Sequence, residues 1–236
     1  MPVRKKHQLY AIIALLAILF ISYAVFIKTK AKLSAAKKPD IPELVVTLPK
    51  VKSKNIMYLD EAIQKRRSVR NFSTKPLSKR QLSLLLWATQ GITSSKKALR
   101  ASPSAGALYP LTLYVIKDDG VWIYLPNNHA LKLIFKGDSR SLVAKAALNQ
   151  SFIEQAPVVI VISAILQKTI DKYGKRGTKY VYLEAGHAAQ NLLLEAVSLG
   201  LGSISIGTFS SHSLQEALYL TNEETPLYVI PVGYEK

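Results

Sequence analysis

The chain reads as an α+β sandwich in which strands and helices intermix, and three stretches predict it. Leu111 to Lys117, Val121 to Leu125 and Ala130 to Phe135 are short strand-like runs parted by Asp118-Asp119-Gly120 and Pro126-Asn127-Asn128, the pattern of an antiparallel meander. Pro157 to Ser163 (PVVIVIS) is a continuous apolar run, which predicts a strand buried on both faces near the middle of a sheet. Thr178 to Leu199 carries Val181, Ala185, Ala188, Leu192 and Ala196 at helical spacing and stops at Gly200, so a long helix covers a face of that sheet.

The first element in chain order is apolar. After a basic tail over residues 1–8 with Arg4, Lys5 and Lys6, Leu9 to Ile27 holds 19 residues without a charge, enough to cross a bilayer as a helix. A cleaved signal peptide is the competing reading, but no small-x-small site closes the run. Tyr10 and Tyr23 fit interfacial anchoring, so the expectation is a single-pass membrane protein. Basic residues flank both sides, and orientation leans only slightly toward a cytoplasmic domain. Residues 28–57 are rich in lysine and punctuated by Pro39, Pro42 and Pro49, which marks a linker. Within it, Ile41 to Leu48 can pack as an edge segment.

The remaining domain, 58–236, opens with a helix over Leu59 to Arg67. A second helix starts at Ser78, with Ser78-x-x-Gln81 as a capping box, Leu82, Leu85 and Leu86 on its apolar face and Gly91 as its stop. Ala101 to Pro110 (ASPSAGALYP) then holds too many small and turn-forming residues for regular structure and reads as a loop built for close approach. Asp138 is placed to cap a helix running to about Leu148. Gly202 to Ile206 is a strand candidate, Ser213-x-x-Glu216 caps a further helix, and Leu227 to Val232 is the last strand.

Charge and composition narrow the function. The formal charge is +17, of which residues 1–54 contribute +9, so half of the excess flanks the apolar segment. The rest suits an anionic cofactor, and no aromatic-basic interleaving points to nucleic acid, which is not expected as a partner. The chain has no cysteine, which removes thiolate metal sites and thiol nucleophiles; any redox chemistry needs a cofactor.

Arg66-Arg67-Ser68-Val69-Arg70 ends a helix, where it is either a basic face that complements the dipole or a clamp for phosphate oxygens. In Gly200-Leu201-Gly202-Ser203-Ile204-Ser205-Ile206-Gly207-Thr208, the glycines do not form a dinucleotide fingerprint, because Ser205 stands where it needs glycine and the run follows a helix. Gly207 instead lets a backbone amide meet a planar ligand, or simply makes a turn. Glu184-x-x-His187 lacks the second copy that a carboxylate-bridged metal site requires, so no metal is expected and His187 reads as a core histidine. Asn149-Gln150 is a helix end or an amide aimed at a ligand.

These pieces, in their order, resemble the nitroreductase family of flavin enzymes, most closely its SagB-type branch. The resemblance spans about Leu59 to Tyr234 and rests on Arg66 to Phe72, Leu86-Trp87-Ala88-Thr89-Gln90-Gly91, Pro103 to Pro110, Asn149-Gln150, Ala156-Pro157, Glu184 to His187, Gln190-Asn191, Leu199 to Gly202 and Pro231-Val232-Gly233-Tyr234. It implies a three-layer sandwich with a mixed, mainly antiparallel sheet, and noncovalent FMN at the interface of a homodimer. By position, Arg66, Ser68 and Arg70, with Arg67 beside them, correspond to contacts with the FMN phosphate, ribityl chain and ring. Pro103, Ser104, Ala105 and Gly106 correspond to the loop against the flavin. Gln150 corresponds to a contact from the partner subunit, and Gly207 and Thr208 would lie near flavin N5.

The implied activity is an FMN-dependent oxidoreductase that moves hydride between NAD(P)H and a small organic acceptor. The alternatives are an azoline peptide dehydrogenase and, from another class, a non-catalytic membrane-tethered flavin- or polyanion-binding module. Azoline dehydrogenases of this branch use a Lys-Tyr pair as base, for which Lys172-Tyr173 and Lys179-Tyr180 are both candidates. A basic residue that many members place beyond the Pro-Val-Gly segment is missing, and only Lys236 stands where it could replace it.

Overall fold

The computed structural model describes Phe20 and residues 43–51, 57–94 and 96–236. The chain divides into two units, Met1–Asp40 and Ile41–Lys236, and the fold is that of the second.

In chain order the elements are β1 (Val45–Thr47), α1 (Leu59–Lys65), α2 (Lys79–Gln90), the hairpin of β2 (Ile92–Ser94) and β3 (Leu99–Arg100), and a single 3-10 turn at Ala105–Ala107. Then come β4 (Leu111–Lys117), β5 (Gly120–Leu125), β6 (Ala130–Lys136), α3 (Arg140–Ala146), α4 (Phe152–Gln155) and β7 (Val158–Ile165). The last elements are α5 (Gln167–Tyr173), α6 (Arg176–Ser198), β8 (Gly202–Ser203), α7 (Ser211–Leu218) and β9 (Glu224–Gly233). Seven strands form one sheet in the order β1-β6-β5-β4-β7-β9-β8, and each neighbouring pair is antiparallel.

Apolar periodicity explains the layering. Every residue of β7 but its last is buried, because β4 and β9 flank it and helices cover both of its faces. On one face Leu82, Leu85 and Leu86 of α2 and the five predicted stripe residues of α6 pack with Leu113, Ile160, Ile162 and Ile230. On the other, Val143 and Ala146 of α3 and Leu214 and Leu218 of α7 pack with Ile116, Val159, Val161 and Val229. Each fully buried Val, Leu or Ile adds roughly 1.5–3 kcal/mol of transfer free energy, so these two cores hold the three layers together.

Several boundaries differ from expectation for local reasons. Gly91 does end α2, but with φ −67 and ψ 155 rather than a left-handed turn. A Cβ there would stand 2.3 Å from Trp87 Cδ1, so close packing by Trp87 is what requires glycine. Asp138 does accept the backbone N–H of Arg140, the first residue of α3, at 2.9 Å and also binds its guanidinium, but the helix ends at Ala146, and Leu148 and Asn149 turn left-handed at φ 58 and 57. The cap of α7 is Ser210, whose hydroxyl accepts the Ser213 N–H, and not Ser213 itself.

The edge strand β1 pairs with β6, and a half-buried clasp fixes the chain that follows it. Ser83 Oγ donates to Pro49 O at 2.7 Å and lies 2.7 Å from His129 Nε2, while Tyr124 OH lies 2.8 Å from His129 Nδ1.

The expected membrane localisation is overturned. Residues 9–27, Phe20 apart, lie outside the described residues, and among those described no helix is long and apolar enough to cross a membrane. The longest of them, α6, has 23 residues but carries Arg176, Lys179, Glu184 and Glu195, and it spends its apolar face on the sheet.

Candidate cofactor and active site

The arginine segment is stitched to the free edge of the sheet. Ser68 bridges Ser203 of β8 in parallel, Val69 N donates to Ser203 O at 3.1 Å, and Ser73 N donates to Tyr234 O at 2.8 Å. Gly202 permits this approach, since a Cβ on it would meet the Val69 side chain at 2.8 Å. α1 ends at Lys65, before the arginines rather than within them. Arg67 Nη1 donates to Gln64 O and Arg66 O, the dipole-complementing role. Arg66 and Arg70 take part in no ion pair among the described residues. The backbone N–H of Lys236 donates to Asn71 O at 3.1 Å, which sets the last residue beside the same segment.

Gly207, Thr208 and Gln150 share this region. Ile206 bridges Val229 of β9, and the chain then emerges at the exposed Gly207 and Thr208. A Cβ on Gly207 would meet nothing within 4 Å, so its backbone faces open space. Ser210 N donates to Ala146 O at 2.8 Å, which ties this exit to the end of α3 and so to Gln150 four residues on. Gln150 Nε2 donates to its neighbour Ala147 O, and Gln150 is half-buried.

The Ala101–Pro110 loop lies elsewhere, against α2, α5 and α6. Asn191 Nδ2 donates to Ala88 O at 3.1 Å and to Ser102 Oγ at 3.2 Å, and Ser102 Oγ donates to Thr89 O at 2.8 Å. Ser104 Oγ accepts the Tyr109 N–H at 2.9 Å, and the carboxyl of Glu184 is buried on α6, which packs against the 3-10 turn. Burial pushes that carboxyl up to about 7, against the pull of the Arg100 charge. Gly106 stands at φ 63, and a Cβ on it would meet Lys172 Nζ and Tyr173 OH, each at 2.7 Å. Tyr173 meets Tyr180 edge-on at 5.2 Å between ring centroids, so this pair of tyrosines flanks the loop, with Lys179 exposed beside Tyr180.

The two groups of residues stand at opposite ends of one strand. Pro110 O accepts from Ile165 N, and Ile165 pairs with Glu224, the first residue of β9. Ser203, the partner of Ser68, pairs with Val232 near the last. Eight residues at ~3.3 Å each put roughly 25 Å between the Pro110 end of the loop and the arginine segment.

Sequence reasoning missed α5 and the burial of Glu184, and it placed His187 in the core. His187 is exposed while Glu184 is buried, since positions three apart on α6 here fall on opposite sides of the burial line.

The sequence model of the Nitroreductase family matches residues 63–234. The chain belongs to the nitroreductase family. It is 42% identical over 181 residues to a Methanocaldococcus jannaschii protein named as a nitroreductase, a match covering 74% of this chain and 90% of that protein. A Ralstonia eutropha crystal structure named as a nitroreductase superposes with TM-score 0.75 at 30% identity, covering 81% of this chain and 90% of that one. A Clostridium acetobutylicum structure named as an NADH oxidase superposes with TM-score 0.55 at 25% identity, covering 74% and 87%. Nitroreductases are generally flavin-dependent, use NAD(P)H, act on small molecules and are typically dimeric. This nitroreductase-family oxidoreductase therefore has the α+β fold with a mainly antiparallel sheet that its relatives share.

The residues at the arginine edge fit an anionic, planar, amide-bearing ligand. Two guanidinium groups that form no ion pair among the described residues, the exposed Ser68 hydroxyl and the open backbone at Gly207 are the donors such a ligand would need.

Proposed function

We propose that the protein is an FMN-dependent oxidoreductase that takes electrons from NAD(P)H to a small-molecule acceptor, at a site shared by two copies of the chain. The observation that carries this reading is the separation just described. Arg66, Ser68 and Arg70 lie at the last residues of β9, Gly207 and Thr208 leave the sheet beside Val229 with Gln150 tied to that exit, and the Pro110 end of the loop lies at the first residue of β9, roughly 25 Å from the arginine segment. A two-fold axis that sets the loop of one protomer against the arginine edge of its partner completes the site. In this arrangement Gln150 serves the same protomer as the arginines, and the loop is the partner's contribution.

The surface supports such pairing. Tyr58, Leu59 and Ile63 at α1, and Tyr182 and Leu183 on the α6 helix that α1 packs against, are each more than half exposed. Covering them removes apolar area from water beside the arginine segment.

FMN held there would supply hydride-transfer chemistry between NAD(P)H and the acceptor. The chain's own residues bind and orient. Arg66 and Arg70 neutralise the phosphate and the electron-rich reduced ring, and Lys236 stands beside them to complete the phosphate site. The turn at Ser104 to Gly106 walls the ring and leaves room for a flat substrate.

A second reading, an azoline peptide dehydrogenase, is favoured by one observation: Lys172 Nζ and Tyr173 OH crowd Gly106, whereas Lys179 does not. One experiment separates the two. The purified full-length chain is expected to be yellow, to release FMN on heating and to bleach on anaerobic titration with NADH or NADPH. A flavin that NAD(P)H does not reduce favours the second reading, and a colourless protein that binds no added FMN contradicts both.

A further inference from the structure

The two arms of the Ala101–Pro110 loop are held by different means. The first is fixed to α2 and α6: Ala101 N donates to Gly91 O at 2.9 Å, and Ser102 Oγ donates to Thr89 O while accepting from Asn191 Nδ2. The second arm turns back through Gly106, Ala107 and Tyr109, all at positive φ, 63, 53 and 48. Left-handed backbone disfavours residues that carry a Cβ, so Ala107 and Tyr109 stay there only where other contacts hold them. Ser104 Oγ closes the turn on itself by accepting the Tyr109 N–H. Arg100 ties the turn to the rest of the domain, for its backbone N–H donates to Tyr109 OH at 3.3 Å.

The side chain of Arg100 strengthens that tie. Its guanidinium lies 4.5 Å from the Tyr109 ring centroid, and its Nη1 donates to Gln90 Oε1 at 2.9 Å. Gln90 is the last residue of α2 and is 1% exposed, so it offers a fixed anchor. Arg100 itself is half-buried and forms no ion pair among the described residues. A charge drawn out of water without a carboxylate partner is unfavourable, and an apolar side chain would fill the same space more cheaply. Stability alone therefore does not account for an arginine there. What the charge gains is the negative face of an aromatic ring.

We propose that Arg100 is a positioning residue: anchored to α2 through Gln90, it grips the Tyr109 ring and so fixes the Ser104–Tyr109 turn. The consequence for turnover rests on the reading that this turn walls the flavin and seats the acceptor, while the grip itself does not. A wall already ordered receives a flat acceptor without losing further conformational freedom, so the grip favours acceptor binding and leaves the hydride step unchanged.

A double-mutant cycle in the full-length chain tests this. Arg100→Met keeps the length and removes the charge; Tyr109→Leu removes the ring, and Tyr109→Phe removes only the hydroxyl. The first readout, taken without flavin, is amide hydrogen exchange of Ala105 to Tyr109. Arg100→Met and Tyr109→Leu are each expected to lower protection roughly 3- to 30-fold, the range of one cation–π contact, and the double variant to lose no more than either alone. Tyr109→Phe is expected to lose less than about threefold, because the ring remains. The second readout is steady-state kinetics of FMN-loaded protein with saturating NADPH or NADH and the quinone menadione. Arg100→Met is expected to raise the menadione KM by about the factor seen in exchange, with kcat within about threefold, and Arg100→Lys to recover part of the loss because a cation remains over the ring. Unchanged exchange in Arg100→Met, losses that simply add in the double variant, equal losses in Tyr109→Phe and Tyr109→Leu, or a fall in kcat with KM unchanged overturns the proposal. If Arg100→Met does not fold, Arg100→Gln takes its place in the cycle. A chain that shows the coupling in exchange but binds no FMN contradicts the cofactor reading and supports the grip.

Discussion

Replacing Arg66 and Arg70 together by alanine is expected to weaken FMN binding by about two to four powers of ten. A hydrogen bond to a charged group contributes about 1.5–3 kcal/mol net, and a tenfold change in affinity corresponds to about 1.4 kcal/mol, so two lost guanidinium contacts give that range. Arg67→Ala serves as the comparison. Its Nη1 is already committed to Gln64 O and Arg66 O at the end of α1, so its loss is expected to change affinity less than about tenfold. Titration of apoprotein with FMN, followed by quenching of flavin fluorescence, measures both. Equal losses for Arg67→Ala and for either single change at Arg66 or Arg70 would count against the division of roles drawn from the geometry.

Gly202→Ala is expected to lower the melting temperature by roughly 3–10 °C and to weaken flavin binding with it. The new Cβ would stand 2.8 Å from Val69 Cβ, Cγ1 and Cγ2. Val69 is β-branched and stiff, and it is buried in the core, so it cannot swing aside as the end of a lysine could. Overpacking of this kind costs about 1–3 kcal/mol, which for a domain of this size moves the melting point by the stated amount. The displaced element is the arginine segment itself, because Val69 N bonds Ser203 O one residue away. Gly207→Ala separates packing from ligand contact: its Cβ points into open space, so stability is expected to hold while flavin affinity falls. Differential scanning calorimetry beside flavin titration reads the two effects apart. Unchanged melting in Gly202→Ala would show that the segment relaxes freely.

What the sequence made legible was local and periodic. The α6 stripe of Val181, Ala185, Ala188, Leu192 and Ala196 is buried throughout, β7 sits between two neighbours, and Ser78 and Gln81 form a reciprocal capping box. Each follows from a 3.6-residue or continuous apolar pattern, or from a donor and acceptor three residues apart. Features decided by distant partners were not legible. Gly91 ends α2 as expected, but it is glycine because Trp87 packs on it. His187 looked like a core residue because its helix is buried, yet only one side of that helix is. Glu184 is buried on α6, which packs against the 3-10 turn at Ala105–Ala107, and nothing in its local sequence signals that burial. The uncharged run Leu9 to Ile27 suggested a membrane span; apart from Phe20 it lies outside the described residues, and among those no helix is long and apolar enough to cross a membrane.

The candidate site was legible as a set of residues but not as an arrangement. Arg66 to Arg70, the loop and Gly207 read as one pocket along the chain. The sheet register parts them, since β9 carries the arginine edge at its last residues and the loop at its first. That separation gives the central claim, a site built from two chains.

Mixed dimers test it most directly. One chain carries Arg66→Ala and Arg70→Ala with an intact loop; the other carries Gly106→Val, which places a branched side chain at φ 63 against Lys172 and Tyr173, with intact arginines. Each homodimer is expected to bind little flavin. In the mixed dimer one of the two shared sites pairs a mutant loop with mutant arginines and the other pairs two intact halves. Purified mixed dimers, selected by two different tags, are therefore expected to bind about one FMN per dimer. Binding no better than either parent would contradict a shared site and return the loop and the arginines to separate roles within one chain.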